Sequence, residues 1–180
     1  MDGYKFYPFS RKDEKGDVRG GVGLFIKEEH RRWIKIMYDI SSEYCIWCKC
    51  KKEFFNFRED LYIGMVYIPP HDSSREKRLQ INHFKRLADT YASIKSEHII
   101  LMGDMNARTR DYEDVVSQVG NEGDNFTPLD EPCTLPKCLR NNQDKKGNKY
   151  GKKLVELCHS TNSYILNGRT LGDFQGKLTC

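Results

Sequence analysis

Long apolar runs are missing from this sequence, since none approaches the roughly 20 residues that a membrane-spanning helix needs. The first residues, MDGYKFYPFSRKDEK, also lack the apolar core of a signal peptide. The sequence contains no internal repeats. These absences argue against a membrane, secreted or repeat protein. We therefore expect an intracellular protein, with the nucleus as a possible location and no membrane partner.

A strong charge imbalance is missing as well. The formal net charge is +4, which favours a polyanionic partner without requiring one. Of the 180 residues, 38% are hydrophobic and 31% are charged, a balance typical of a soluble globular protein. Domains of this size usually have one core, so residues 1–180 are predicted to form a single domain. The sequence does not determine its oligomeric state.

A disulfide pattern is also absent, because the seven cysteines are scattered at positions 45, 48, 50, 133, 138, 158 and 180. Cys45 and Cys48 form a CxxC pair, which is half of a zinc site, but two further ligands at similar spacing do not follow. The alternative is a strand, YCIWCKCKK, whose thiols alternate between its two faces. We expect Cys45, Cys48 and Cys50 to be free thiols that bind no zinc.

The first half of the chain contains several strand-like segments. The residues before Gly20 are predicted to form a loop, and VGLFIK then has the compact apolar composition of a strand. Residues 32–38 and 44–51 alternate between apolar and polar, and residues 61–68 form a nearly continuous apolar run. The four segments predict an antiparallel meander.

A helix is predicted to follow, with its N-cap at Ser73 or Ser74. One face of this helix carries apolar residues, namely Leu79, Phe84, Leu87, Ala88, Tyr91 and Ile94. A buried strand, Ile99–Met102, then leads into Gly-Asp-Met-Asn. Residues of about 120–149 are polar and aperiodic, which indicates a surface loop or insertion. A second helix at 150–160, a strand at 163–166 and an Asn-Gly turn complete the pattern.

Gly-Asp-Met-Asn, ending at Asn106, is the first candidate functional segment. Asp and Asn are favoured in turns because they bond to their own backbone, so a plain turn also explains the pair. In the functional interpretation, Asp104 orients or deprotonates a water molecule while the Asn106 amide donates to a phosphate oxygen. Tyr67, near the end of its strand in VYIPP, is either a buried ring or a hydroxyl at the mouth of a cleft.

Three segments in this order resemble a known superfamily: RGGVGLFIK at 19–27, GMVYIPPHDSS at 64–74 and HIILMGDMNARTR at 98–110. They resemble the endonuclease/exonuclease/phosphatase superfamily, which includes DNase I, and are most similar to endonuclease domains of non-LTR retrotransposon polyproteins. The segment NKYGKKLVELCHSTNSYILNGRTLGDFQGKLT at 148–179 fits the same family. The resemblance extends from about Arg19 to the end of the chain.

The resemblance implies an α+β fold, a two-layered α/β sandwich of the DNase I type, here incomplete. It implies that Asp104 activates the attacking water, that Asn106 contacts the phosphate and that Tyr67 contacts the scissile phosphate. These three residues are then expected to converge on one cleft. Asp104 and Asn106 would be secondary ligands of Mg²⁺, and the substrate would be DNA.

The resemblance also identifies residues that this chain does not contain. The family has an early Asn, a Glu that is the principal magnesium ligand, and a final Asp-His pair, and no residue here replaces them. The expectation is a fragment truncated at both ends, with weak magnesium binding and low or no activity. Rival interpretations are an inactive remnant that binds nucleic acid or a partner, and a phosphatase of the same superfamily.

Basic residues between 137 and 153 could contact phosphates in a salt-dependent manner, or could simply keep a loop in solution. They are Lys137, Arg140, Lys145, Lys146, Lys149, Lys152 and Lys153.

Overall fold

The computed structural model describes residues 2–13, 15–73, 77, 80–114 and 140–177. The chain divides into two compact units, Met1–Asn106 and Ala107–Cys180. Each unit has its own secondary structure. None of the helices in the described ranges is long and apolar enough to cross a bilayer.

The first unit has six strands. They are β1 (Tyr4–Lys12), β2 (Val18–Lys27), β3 (Ile34–Ile36), β4 (Cys45–Cys50), β5 (Leu61–Tyr67) and β6 (Ile99–Asp104). A 3-10 turn spans Glu28–His30, and two α-helices, α1 (Lys52–Phe55) and α2 (His83–Ser93), complete the unit.

The strands form two sheets. β1 and β2 pair as an antiparallel hairpin, and the other four strands form a sheet in the order β3-β4-β5-β6. The first three of these are antiparallel, whereas β6 runs parallel to β5. Parallel neighbours need a crossover connection, and α2 lies in it. The carboxyl ends of β5 and β6 therefore lie at the same edge of the sheet.

The hydrophobic core fills the space between the hairpin and one face of the larger sheet. Ile26 from the hairpin clusters with buried residues of β3, β4 and β5, including Ile46, Cys48 and Leu61. Ile46 is fully buried, and side chains of a strand alternate between its faces, so Trp47 belongs to the opposite face. Trp47 lines a small cavity of about 40 Å³ with Leu87 of α2. Two sheets face to face with a helix outside confirm the predicted α+β sandwich, in incomplete form.

Two predictions for the hairpin were wrong. Residues 4–12, expected to form a loop, form β1, with aromatic side chains on both faces, as in Phe6 and Phe9. A strand with apolar residues on both faces does not show the alternation that identifies a half-buried strand. β2 pairs with β1 instead of joining β3, so the meander has three strands.

The start of the long helix also differs from its prediction. Gln80 has a positive φ of 48°, which interrupts any helix before α2. The Asn82 side chain accepts a hydrogen bond from Lys85 N and caps a helix that begins at His83. Phe84 and Leu87 are buried, as the periodicity predicted. Ser74 and Leu79 lie outside the described residues.

The second unit is built around α3 (Lys149–Thr161), which confirms the predicted helix. The Asn148 side chain caps it by accepting from Gly151 N at 2.7 Å. Gly151 has no space for a side chain, because a Cβ there would lie 1.9 Å from the Arg108 carbonyl oxygen. Helix α3 is thus held against the segment that follows the Gly-Asp-Met-Asn motif.

The strand predicted at 163–166 does not form. Side chains satisfy the polar backbone groups of Ile165 instead of a neighbouring strand, since Asp114 accepts from Ile165 N and Arg169 donates to Ile165 O. The expected turn at Gly168 is present, with φ of 81°. In the predicted loop, residues up to 139 lie outside the described ranges, and residues 140–148 contain no helix or strand.

Candidate active site

Tyr67 and Asp104 are the last residues of two adjacent parallel strands, and their Cα atoms are paired in register. Paired residues of neighbouring strands point to the same face of the sheet. The Asp104 carbonyl oxygen accepts a hydrogen bond from Ile68 N at 2.8 Å, which extends the pairing beyond the end of β5. The two candidate side chains therefore lie next to each other at one edge of the sheet.

Asn106 is attached to the same edge. Its backbone N donates to Asp104 Oδ1 at 2.8 Å, which closes an Asx turn. Its side-chain Nδ2 donates to the Ile68 carbonyl oxygen at 2.8 Å and to Asp104 Oδ2 at 3.3 Å. Both Asp104 oxygens thus accept from Asn106, which orients the carboxylate. Asn106 has φ of 47°, a conformation that Asn adopts more readily than most residues.

Gly103 allows the two strands to pair up to their ends. It has φ of 127°, and a Cβ at this position would lie 2.1 Å from the Val66 carbonyl oxygen. No residue with a side chain fits without moving the backbone. Glycine is therefore required before Asp104 for a structural reason. The sequence motif alone indicates only a turn at this position.

The exposure of the three side chains suits a reaction at the surface. Asp104 is exposed, whereas Tyr67 and Asn106 are half-buried. An exposed carboxylate held by two N–H donors can accept a proton from water or orient it, and a tyrosine hydroxyl can donate to a phosphate oxygen. The roles of these residues remain predictions, although their placement is compatible with them.

The described residues contain no group of three or more His, Cys, Asp or Glu side chains that could hold a metal ion. Magnesium differs from zinc in that it often binds through one or two carboxylates, with water and substrate phosphates as the other ligands. Asp104 supplies one exposed carboxylate of this kind. The residues present fit a loosely held Mg²⁺ and do not form a closed protein site.

The predicted basic residues fall into two groups in the second unit. Lys145, Lys146, Lys149 and Lys152 are exposed, as a phosphate-binding role requires, and Lys153 is half-buried. Arg140 is half-buried and donates to Thr109 Oγ1 at 2.8 Å and to the Arg110 carbonyl oxygen at 3.3 Å. It therefore acts within the unit and is poorly placed to contact DNA. Lys137 lies outside the described residues.

A buried ion pair in the second unit was not predicted. Arg169 donates to both oxygens of Asp114, at 2.6 and 2.8 Å, and the two side chains are 9% and 1% exposed. Burial alone would raise the pKa of Asp114, but hydrogen bonds from Arg169 and Ile165 N outweigh it and lower the pKa. No sequence spacing reveals this pair, because its members are 55 residues apart.

The cysteines of β4 are buried within the strand that the sequence predicted. Cys48 and Cys50 belong to the core cluster between the sheets, and Cys45 lies on the opposite face. Burial raises the pKa of Cys45 to about 12, and a hydrogen bond with Cys50 together with burial raises that of Cys48. All three are free thiols. Cys133, Cys138 and Cys180 lie outside the described residues.

One surface depression, of about 300 Å³, is lined by none of the three candidate residues. It lies at the start of β5 and is lined by residues that include Arg58, Asp60, Tyr62 and Lys95. Asp60 already accepts from Lys49 Nζ at 2.7 Å. The depression is open and its charges are mixed in sign, so its chemistry does not identify a ligand.

No family model matches the chain. No curated protein sequence matches it. Among solved structures, it is similar to the "Endonuclease domain of TRAS1, a telomere-specific non-LTR retrotransposon", with 14% sequence identity and a TM-score of 0.41. The match covers 61% of this chain and 44% of that chain, so this chain spans less than half the length of that structure. At this level the similarity is distant and carries no functional conclusion.

Proposed function

We propose that this chain is a metal-dependent phosphodiester hydrolase of the endonuclease type, with nucleic acid as its substrate. The observation that carries the proposal is the juxtaposition of Tyr67, Asp104 and Asn106 at the carboxyl ends of two parallel strands. These residues also lie in the segments 64–74 and 98–110, whose sequences resemble endonuclease domains of non-LTR retrotransposons. The net charge of +4 suits a polyanionic substrate.

In the proposed mechanism, Asp104 orients a water molecule for in-line attack on a backbone phosphate and accepts its proton. Asn106 holds the carboxylate through both of its oxygens. The Tyr67 hydroxyl donates to an oxygen of the same phosphate. Asp104 would hold a magnesium ion, whose chemistry there would be to stabilise negative charge on the phosphate and on the leaving oxygen. Because the described residues contain no group of three or more metal-binding side chains, we expect weak magnesium affinity and slow cleavage.

The test is nicking of supercoiled plasmid DNA in Mg²⁺ and in EDTA, with several variants. General acid–base catalysis contributes about 10²–10⁴-fold, so Asp104→Ala should lose at least about 100-fold in rate. Tyr67→Phe removes only a hydroxyl and should lose less. The matched control is Asp89→Ala, which removes an exposed carboxylate of α2 outside the site. If Asp104→Ala nicks as fast as the unmodified chain, the assignment of the site is wrong.

Two outcomes favour the rival functions. DNA binding without Mg²⁺-dependent cleavage would indicate a nucleic-acid-binding protein that has no hydrolase activity. Hydrolysis of phosphomonoester or lipid substrates, with Asp104 required but DNA untouched, would indicate a phosphatase of the same superfamily. Either result overturns the endonuclease proposal.

A further inference from the structure

Arg11 carries hydrogen-bond donors that no described residue uses. Its Nη2 donates to the Arg19 carbonyl oxygen at 3.0 Å, but Nε and Nη1 are buried and have no partner in the described part of the chain. The Tyr44 hydroxyl is in the same situation. Buried polar groups are nearly always hydrogen-bonded, so unpaired donors need an explanation. A bound ligand is one such explanation.

The two residues are adjacent. The Arg11 guanidinium carbon lies 5.8 Å from the centroid of the Tyr44 ring. A Cβ at Gly20 would lie 3.1 Å from Arg11 Nη2, so the glycine leaves space for the guanidinium. The unpaired donors of Arg11 and the Tyr44 hydroxyl therefore belong to one small region at the turn end of the β1–β2 hairpin.

This region is next to the candidate site. The Tyr44 carbonyl oxygen accepts a hydrogen bond from Tyr67 N at 2.8 Å. Tyr67 is in turn the register partner of Asp104. Tyr44 is thus hydrogen-bonded to the residue that pairs in register with Asp104, and all three residues belong to the first unit.

The chemistry of the region selects an anion. A guanidinium group only donates hydrogen bonds, and it matches phosphate oxygens in geometry and charge. Asp13 and Asp17, the described carboxylates nearest to Arg11 in sequence, interact with another arginine, since they lie 3.0 and 3.7 Å from Arg19. Neither of them neutralises Arg11.

We propose that Arg11 and Tyr44 form a second phosphate-binding subsite, which holds a backbone phosphate of the nucleic acid next to the phosphate at Tyr67 and Asp104. Arg11 as a whole is only half-buried, so rotation of its long side chain can bring the unpaired N–H groups to the ligand. Tyr44 is 4% exposed and the Arg11 guanidinium lies over its ring, so the same rotation would also have to uncover the Tyr44 hydroxyl. The inference rests on the proposed function, because it takes nucleic acid as the substrate. Arg11 and Tyr44 would position the strand and take no part in the chemical step.

Tyr44→Phe is the most discriminating variant, because it removes one oxygen atom and keeps the ring. Removing a buried hydroxyl that has no partner should leave the free protein as stable as before, or more stable. If the hydroxyl binds phosphate, affinity for a short DNA duplex in EDTA should still fall roughly three- to tenfold. Unchanged DNA affinity in a folded Tyr44→Phe protein would overturn the role of Tyr44.

Arg11→Met should weaken DNA binding about ten- to 100-fold and reduce the slope of log affinity against log salt by about 1. Arg11→Lys should keep most of the salt dependence of DNA binding, because the positive charge remains. It should lose part of the affinity, because lysine lacks the planar guanidinium group that can donate two parallel hydrogen bonds to a phosphate. The charge-matched control is Arg31→Met, since Arg31 already pairs with Glu28 at 2.8 Å. Thermal melts of each variant without DNA report whether it is folded.

The two proposals can fail separately. If Arg11→Met and Arg31→Met weaken DNA binding equally, or if the chain does not bind DNA, the subsite is refuted. If the subsite variants behave as expected but Asp104→Ala does not slow cleavage, the subsite stands and the catalytic proposal fails.

Discussion

At the scale of single residues, backbone conformation rather than side-chain chemistry decides where the candidate site can form. Gly103 has φ of 127° and no space for a Cβ. Asn106, three residues later, has φ of 47° and bonds to both Asp104 and Ile68. Two unusual backbone conformations thus flank the carboxylate. They bring it to the strand end and fix the direction in which it points.

Gly103→Ala is therefore expected to destabilise the first unit. Placing alanine at positive φ costs about 1–3 kcal/mol, and displacement of the Val66 carbonyl adds to this cost. The control is Gly16→Ala, because Gly16 also has positive φ, 86°, but no atom lies within 4 Å of the position that an alanine methyl group would occupy there. Urea unfolding monitored by tryptophan fluorescence compares the two variants. Equal losses would show that the close approach to Val66 is not important.

At the scale of elements, the predictions from sequence succeeded where burial imposes a pattern. Strands β4 and β5 and helix α3 were predicted because their apolar runs or periodicities reflect one buried face or two. Strand β6 was also predicted from its apolar run, but its expected burial was wrong, because none of its residues is buried. Strand β1 was missed because aromatic residues occupy both of its faces. The segment at 163–166 was predicted as a strand, but side chains of distant residues satisfy its backbone. Such long-range partners leave no local signal.

The same limit applies to the candidate site. Tyr67, Asp104 and Asn106 were identified because each lies in a short motif at a strand end. Arg11 and Tyr44 were not identified, since their unpaired donors and their closeness depend on how the hairpin packs against the sheet. Sequence motifs reveal residues that act locally, whereas residues brought together by packing become visible only in the structure.

The Asp114–Arg169 pair gives a prediction for the second unit. Arg169→Met leaves a carboxylate buried without its partner, which typically costs about 3–5 kcal/mol. The control is Arg110→Met, because Arg110 and Asp111 form an exposed pair, 55% and 75% exposed, and such pairs contribute little. Chemical unfolding of the whole chain at neutral pH measures both variants. If Arg169→Met lowers the free energy of unfolding no more than Arg110→Met does, the Asp114–Arg169 pair does not have the stabilising role given to it here.

The pH dependence of this pair has a definite sign. The pKa of Asp114 is lowered in the folded state from its ordinary value of 3.8. The pair therefore makes its full contribution to the free energy of unfolding above about pH 4. This contribution is lost as the pH falls through the lower pKa that Asp114 has in the folded state. In Arg169→Met, burial without a partner raises the pKa instead. The stability difference between the unmodified chain and Arg169→Met should thus be largest at neutral pH and decrease on acidification.

At the scale of the whole molecule, the two sheets of the first unit are unequal. The two-stranded hairpin covers the faces of β3, β4 and β5, where Ile63 and Met65 pack against the core cluster. Their register partners on β6, Ile100 and Met102, are 39% and 53% exposed. The sandwich is therefore closed around Cys48 and Cys50 of β4 and open along β6. This asymmetry makes the β4 thiols a probe of the closed part of the core.

Peptide-resolved alkylation at pH 8 tests that arrangement. Cys45, Cys48 and Cys50 are 5%, 3% and 2% exposed, and burial raises the pKa of Cys45 to about 12. A thiol must be both ionised and accessible to react, so all three should be protected in the folded chain and react rapidly in urea. Because they lie on one central strand, they should become reactive together, at the rate of global unfolding.

Bound zinc would also protect thiols, so the same samples require elemental analysis and alkylation in the presence of EDTA. If burial is the cause, the protein should contain no stoichiometric zinc and EDTA should not alter the rates. Zinc at one equivalent, with protection lost in EDTA, would show that the β4 cysteines bind metal. Fast reaction of Cys50 alone would instead show that β4 opens at its end. Equal rates of alkylation for the three thiols, unaffected by EDTA, would show that β4 becomes accessible in one unfolding step.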